Sequence, residues 1–130
     1  MLVFNVDDDS DDREIFCDAV KSVHPNISCA QVDSGISALQ FLDKGDPLPD
    51  YLFIDINMPK MNGIECVQRI RSVPRFLSIQ IVMYSTTFNR KDEIYFSEMG
   101  IKCLAKKTKF SDLVSSLKAL LLNEIPVLVE

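Results

Sequence analysis

At 130 residues and 47% hydrophobic, the chain has the size of one domain and enough apolar material to close a core without staples. A net charge of −5 and an isoelectric point near 4.8 argue against a nucleic-acid or anionic-membrane partner, since either demands a basic footprint. Four widely spaced cysteines with no Cys-x-x-Cys, and His24 as the one histidine, argue against zinc. Cys17, Cys29, Cys66 and Cys103 therefore read as reduced, small hydrophobes of a cytoplasmic protein. Residues 1 to 20 carry no basic-then-apolar leader, and no apolar run reaches the length of a bilayer span.

Along the chain, five short apolar runs alternate with five helix-like patterns, with no linker or repeat between them, which predicts an α/β domain with a parallel sheet. The first strand, Leu2 to Val6, runs straight into Asp7, Asp8 and Asp9. The first helix follows, with a stripe of Ile15, Phe16, Ala19, Val20 and Val23 and a capping box of Asp11 with Glu14. His24, next to Pro25, reads as a surface or capping residue. The second strand is Ile27 to Val32, and Ser34 starts a helix that Gly45 stops. The third strand, Tyr51 to Asp55, is apolar on consecutive positions, as central parallel strands covered on both faces are. Asn62 with Glu65 caps the third helix. The fourth strand, Ile79 to Tyr84, leads to Ser85, Thr86 and Thr87, and Asn89 caps the helix ended by Gly100. The fifth strand, Ile101 to Ala105, precedes a basic stretch and a last helix striped by Leu113, Leu117, Leu120 and Leu121.

Two apolar strands that deliver acids to one sheet edge pool negative charge, which is unfavourable unless a cation or protons neutralise it. In open α/β sheets ligands collect at the carboxyl ends of strands, where the strand order reverses. Asp7, Asp8 and Asp55 all fall at such ends, so the pattern reads as a metal-carboxylate site. Lys102, Lys106, Lys107 and Lys109 bunch late in the chain, which suggests a lysine brought to that acidic pocket.

The segment Ile54-Asp55-Ile56-Asn57-Met58-Pro59-Lys60-Met61-Asn62-Gly63, with the Asp7-Asp8 pair, a hydroxyl after the fourth strand and a lysine after the fifth, resembles the response-regulator receiver domain of two-component phosphorelays. The stand-alone chemotaxis type is nearest in length. The resemblance implies a doubly wound (βα)5 flavodoxin-like fold of strand order 2-1-3-4-5, with residues 1–124 forming the receiver and 125–130 a short apolar tail. It implies that Asp55 is the phosphoacceptor for a histidine kinase or phosphotransfer protein. Asp8, Asp55 and the backbone carbonyl of Asn57 would bind Mg2+, with Asp7 acting through a water; such hard oxygen ligands suit magnesium. Ser85, with Thr86 as the alternative, would be the switch hydroxyl. The protein would be a switch rather than an enzyme with its own catalytic output domain. Its signal would pass to a separate protein through the face of helix 4, strand 5 and helix 5.

Lys107 is matched to the family's lysine by counting from Gly100, with Lys106 as the rival that strand alternation would send to the opposite face. The chain departs from the family in two places. Thr108 stands where a proline in a cis peptide is usual, so a trans bond or a reshaped loop is expected, a non-proline cis bond costing about 2.5–4 kcal/mol. Leu104 stands where the fifth strand commonly has an aromatic. The remaining acids Asp9, Asp11 and Asp12 read as solvated residues that complement the helix dipole. Two other readings compete. Asp7-Asp8-Asp9 contains the Asp-x-Asp of dehalogenase-type phosphatases, although Asp55-Ile56-Asn57 does not follow that pattern and there is little room for a cap. An inert, receiver-shaped docking module is the other.

Overall fold

The computed structural model describes residues 1–45 and 47–122. In chain order these form β1 (Leu2–Val6), α1 (Ser10–Val23), β2 (Ser28–Val32), α2 (Gly35–Lys44), β3 (Tyr51–Ile54), α3 (Gly63–Arg71), a 3-10 turn (Pro74–Phe76), β4 (Gln80–Ser85), α4 (Arg90–Glu98), β5 (Lys102–Ala105) and α5 (Phe110–Leu121). The strands pair in parallel in the order β2-β1-β3-β4-β5, the expected flavodoxin-like arrangement. The apolar tail expected at 125–130 lies outside the described residues.

Strand alternation divides the core in two. Val3, Phe53, Val82 and Tyr84 turn toward α1 and α5 and pack with Phe16, Val20, Leu113 and Leu117. Val6, Leu52, Ile54, Ile81 and Met83 turn the other way, onto Leu42, Val67, Ile70 and Phe96 of α2, α3 and α4. Consecutive residues of β3 are buried because each face is covered, which is why that strand reads as an unbroken apolar run. Ile15, placed in the buried stripe from its spacing, is instead exposed at the edge of α1.

Several helix ends follow their sequence signals. Ser34, Asn62 and Asn89 each accept a hydrogen bond from the backbone N–H three residues on. Gly100 adopts φ of 72°, the left-handed stop that glycine permits, whereas Gly45 ends α2 in an extended conformation, φ −76°. His24 is the exposed C-cap residue of α1, its Nδ1 accepting from the Asn26 N–H. The N-cap of α1 is Asp9, not Asp11: its Oδ1 accepts from the N–H groups of Asp11 and Asp12 at 2.9 and 3.1 Å. The run of acids offered several registers for the cap, and the one that leaves Asp7 at the strand tip prevails.

Cys17 of α1 and Cys29 of β2 form a disulfide, with Cα atoms 5.6 Å apart, where reduced thiols were expected. Their separation of 12 residues gave no sign of pairing, because only the packing of α1 on β2 brings them together. Cys66 is buried and Cys103 exposed, both as free thiols. The expectation of a reducing compartment therefore loses its cysteine argument. No helix among the described residues is long and apolar enough to cross a membrane.

Candidate metal and phosphoryl site

The strand order reverses between β1 and β3, and both of these strands end in acid. The Asp7 N–H donates to Val32 O and the Asp55 N–H to Val6 O, both at 3.0 Å, so the sheet ladder itself fixes the backbone of each acid. Asp7 and Asp55 are buried and Asp8 is exposed, and ligand oxygens from all three lie within 4.8 Å of one another. Asp7 and Asp8 occupy consecutive positions, so the first continues the inward alternation of β1 while the second faces solvent. Burial pushes the Asp7 carboxyl above the ordinary carboxylate range, although Lys106 and the Asp9 N–H pull it down. An all-oxygen set of this kind, partly open to water, fits a hard divalent cation such as Mg2+.

The loop after β3 supplies the rest of this edge. The Asn57 N–H donates to Asp55 Oδ1 at 3.4 Å, which keeps the Asn57 backbone beside that acid. Beyond it, Met58 and Met61 anchor in the core, and Lys60 takes a φ of 67° in a three-residue turn closed by Met61 N–H to Pro59 O at 2.8 Å. Gly63 donates to Ile56 O at 2.8 Å, and a Cβ there would collide with the Asp55 carbonyl and sit 2.8 Å from Ile56 Cα. The glycine of the motif is thus required by close backbone approach beneath Asp55.

On the other side, the lysine that reaches the acids is Lys106, not Lys107. Its Nζ donates to Asp7 Oδ2 at 2.7 Å, Asp12 Oδ2 at 2.9 Å and Asp55 Oδ2 at 3.4 Å, and it lies 5.6 Å from the Tyr84 ring centroid. Strand parity explains the correction. Leu104 packs with the cluster under α1 and α5, the face that also carries Val3 and, four residues on, Asp7; Lys106, two residues after Leu104, continues on it. The Lys106 N–H donates to Ser85 O at 2.8 Å, which extends the β4–β5 pairing and preserves that parity. Lys107 is exposed, without an ion pair among the described residues, beside Ile15, Asp18, Thr108 and Phe110. Counting along the sequence put the inward side of β5 one residue late.

Ser85 ends β4 with its Oγ buried and without a hydrogen-bond partner among the described residues, while Thr86 is exposed. A buried hydroxyl without a protein partner is free to bond a water or a ligand oxygen. Asp12, expected to be solvated, is drawn to Lys106 instead, and Arg13 donates from Nη1 to Asp7 O at 2.7 Å. Neither contact is visible in a pattern of acids at a helix start, because both depend on α1 lying across the ends of β1 and β5.

The family model for the response regulator receiver domain matches residues 3–118. Chemotaxis protein CheY-3 of Vibrio cholerae is 30% identical over 101 residues, covering 78% of this chain and 75% of that protein. Response regulator Rcp1 of Synechocystis is 24% identical over 113 residues, covering 83% and 77%. The sensor histidine kinase CheAY of Helicobacter pylori is 28% identical over 100 residues; 77% of this chain is covered, but it spans only 12% of that protein's length. Among solved structures, the phosphorylated cyanobacterial phytochrome response regulator RcpA superposes with a TM-score of 0.78 at 26% identity, over 92% of this chain and 89% of the other. The Mn2+-bound form of Rcp1 shares the fold with a TM-score of 0.81 at 24% identity, over 98% and 99%. The family model over residues 3–118, together with an acidic pair just after β1, an aspartate just after β3 and a lysine just after β5 that reaches Asp7 and Asp55, on a fold that superposes with these solved structures, shows that the chain belongs to the response regulator receiver domain family.

Proposed function

We propose that this receiver domain is a magnesium-dependent phosphoacceptor, with Asp55 as the residue phosphorylated. The observation that carries the reading is the Asp7, Asp8 and Asp55 cluster with the Lys106 ammonium on it. Asp8 and Asp55, with the Asn57 carbonyl, would hold Mg2+, and Asp7 would act through a water. When bound, the ion screens the repulsion between the Asp55 carboxylate and an anionic phosphoryl donor.

The chain's own residues do the remainder. Asp55 is held by its backbone bond to β1 so that one carboxylate oxygen can attack phosphorus in line. A P–O bond to Asp55 forms as the P–N bond of a donor phosphohistidine breaks, and the electron pair stays on the departing imidazole. The Lys106 ammonium balances the charge that gathers on the phosphoryl oxygens, and the Ser85 hydroxyl donates to one of them. Lys106 takes the role first given to Lys107, and the same one-residue shift moves the fifth-strand position matched to the family's aromatic from Leu104 to Cys103. The donor would be a histidine kinase or phosphotransfer protein, and the reaction would take place in the cytoplasm, as is typical of the family. Output would pass through the groove between α4, β5 and α5, about 680 Å3 in volume and lined by Glu93, Ser97, Cys103, Leu104 and Leu120. The receiver unit would comprise residues 1–124.

Incubation with acetyl phosphate and Mg2+ should add the mass of one phosphoryl group to the intact protein. Asp55→Asn should abolish that gain, and Lys106→Met should reduce it more than Lys107→Met does. Phosphate found on Asp7 instead would support the hydrolase reading, and no uptake of phosphate or of beryllofluoride at millimolar Mg2+ would support an inert docking module.

A further inference from the structure

The Lys106 ammonium has three N–H donors, and all three are engaged by acids. The two short bonds go to Asp7 and Asp12, at 2.7 and 2.9 Å, and the long one, 3.4 Å, goes to Asp55. The cation is thus held more closely by Asp7 at the tip of β1 and Asp12 of α1 than by the residue that would carry the phosphoryl group. Asp12 stands apart from the other two partners. It lies outside the Asp7, Asp8 and Asp55 cluster, it is not at a strand end, and its side chain is 39% exposed against 1% for Asp7 and 10% for Asp55. Its place in the first turn of α1 is set by its own N–H, which donates to the Asp9 cap, so the carboxylate leans over the pocket from a fixed backbone.

We infer that Asp12 is a positioning residue that competes with the phosphoryl group for Lys106 and so holds the site in its resting arrangement. The inference rests on the phosphoacceptor reading above. A phosphoryl group on Asp55 presents oxygens that need a hydrogen bond from the ammonium, and with its three N–H donors already directed at Asp7, Asp12 and Asp55 that bond forms at the expense of an existing one, the bond to the exposed Asp12 being the easiest to give up. The exchange is reversible at low cost to Asp12, whose exposed carboxylate can return to water. Its negative charge also opposes an incoming anion across the few ångströms of one shared ammonium. Because Asp12 is partly solvated, the size of the effect is that of a screened pair rather than a buried one.

The test uses Asp12→Asn, which keeps the shape and removes the charge, and Asp12→Glu, which keeps the charge. Beryllofluoride binding at saturating Mg2+ should be about two- to fivefold tighter in Asp12→Asn than in the parent protein, and phosphorylation by phosphoramidate should be faster by a similar factor. Asp12→Glu should behave as the parent does. The Lys106 ζ-15N resonance, recorded without magnesium or phosphate mimic, should shift in Asp12→Asn, which a role for Asp12 confined to complementing the dipole of α1 does not predict. Unchanged or weaker beryllofluoride binding in Asp12→Asn overturns the inference. Should the parent take up no beryllofluoride at all, the phosphoacceptor reading fails; the lysine resonance then decides alone, a shift upholding the hold of Asp12 on Lys106 and its absence refuting it.

Discussion

A single side chain shows how burial and charge combine in this pocket. Tyr84 is buried against Phe16 and Phe53 beneath the Lys106 ammonium, and burial pushes its phenol up to about 12, the nearby lysine opposing and the acids assisting. For Lys106, burial lowers the pKa, but the hydrogen bonds to Asp12 and Asp7 and the charge of Asp55 outweigh it and leave it raised. Both groups therefore have folded values above their unfolded ones, about 10 for tyrosine and 10.4 for lysine. Their contribution to stability is complete below pH 10 and is lost as the pH rises through the folded values. Urea unfolding followed against pH should show stability falling above about pH 10, with a loss on the order of 2 kcal/mol from the phenol by pH 12. Tyr84→Phe, which cannot ionise, should flatten that fall. An equal fall in the variant would assign the alkaline loss to other groups. At this scale Asp7, Asp8 and Asp55 stand out in the sequence because they follow apolar runs, whereas Ser85 is singled out by the resemblance to the receiver family. Lys106 against Lys107 was not decidable in the same way, since neighbouring lysines are chemically equal and only the face of β5 separates them.

The short elements around β3 carry the tightest constraint. Gly63 opens α3 directly under the Asp55 and Ile56 backbone, and Asn62 caps that helix at 2.9 Å through the Glu65 N–H. Replacing Gly63 with alanine forces α3 away from the strand end, because the colliding atoms are backbone and cannot rotate aside. Gly63→Ala should destabilise the fold by about 1–3 kcal/mol and lower phosphorylation of Asp55 along with it, as chemical denaturation and intact-mass measurement on the same samples would show. Full stability in the variant would mean that the approach of α3 to β3 is not required. The glycine was legible as part of a motif, and the strand and most cap positions were legible within a residue or two from apolar periodicity. The Asp9 cap was not, because Asp9, Asp11 and Asp12 all offer the same carboxylate to the first turn of α1. The Cys17–Cys29 disulfide was equally hidden: pairing is a matter of how α1 lies on β2, not of spacing along the chain.

For the molecule as a whole, the fold gathers Asp7, Asp55 and Asp12 on one ammonium with Asp8 beside the first two, so repulsion among the acids opposes folding and a bound cation would relieve it. A ligand that binds only the folded state stabilises it by mass action, about 2.7 kcal/mol at a hundred times its dissociation constant. Mg2+ at a hundred times its dissociation constant should therefore raise the melting temperature by roughly 5–10 °C in a protein of this size, and Asp8→Asn should remove most of the increase. A melting curve indifferent to Mg2+ would sink the metal-site reading. By itself the sequence determined the alternation of strands and helices, the resulting parallel sheet and the acids at its carboxyl edge, because apolar period and strand-terminal charge are local properties of the chain. Only the tertiary structure decided which lysine enters the pocket, that Asp12 shares it, and that two distant cysteines meet, because each depends on which face of a strand or helix is turned toward a segment far away in sequence.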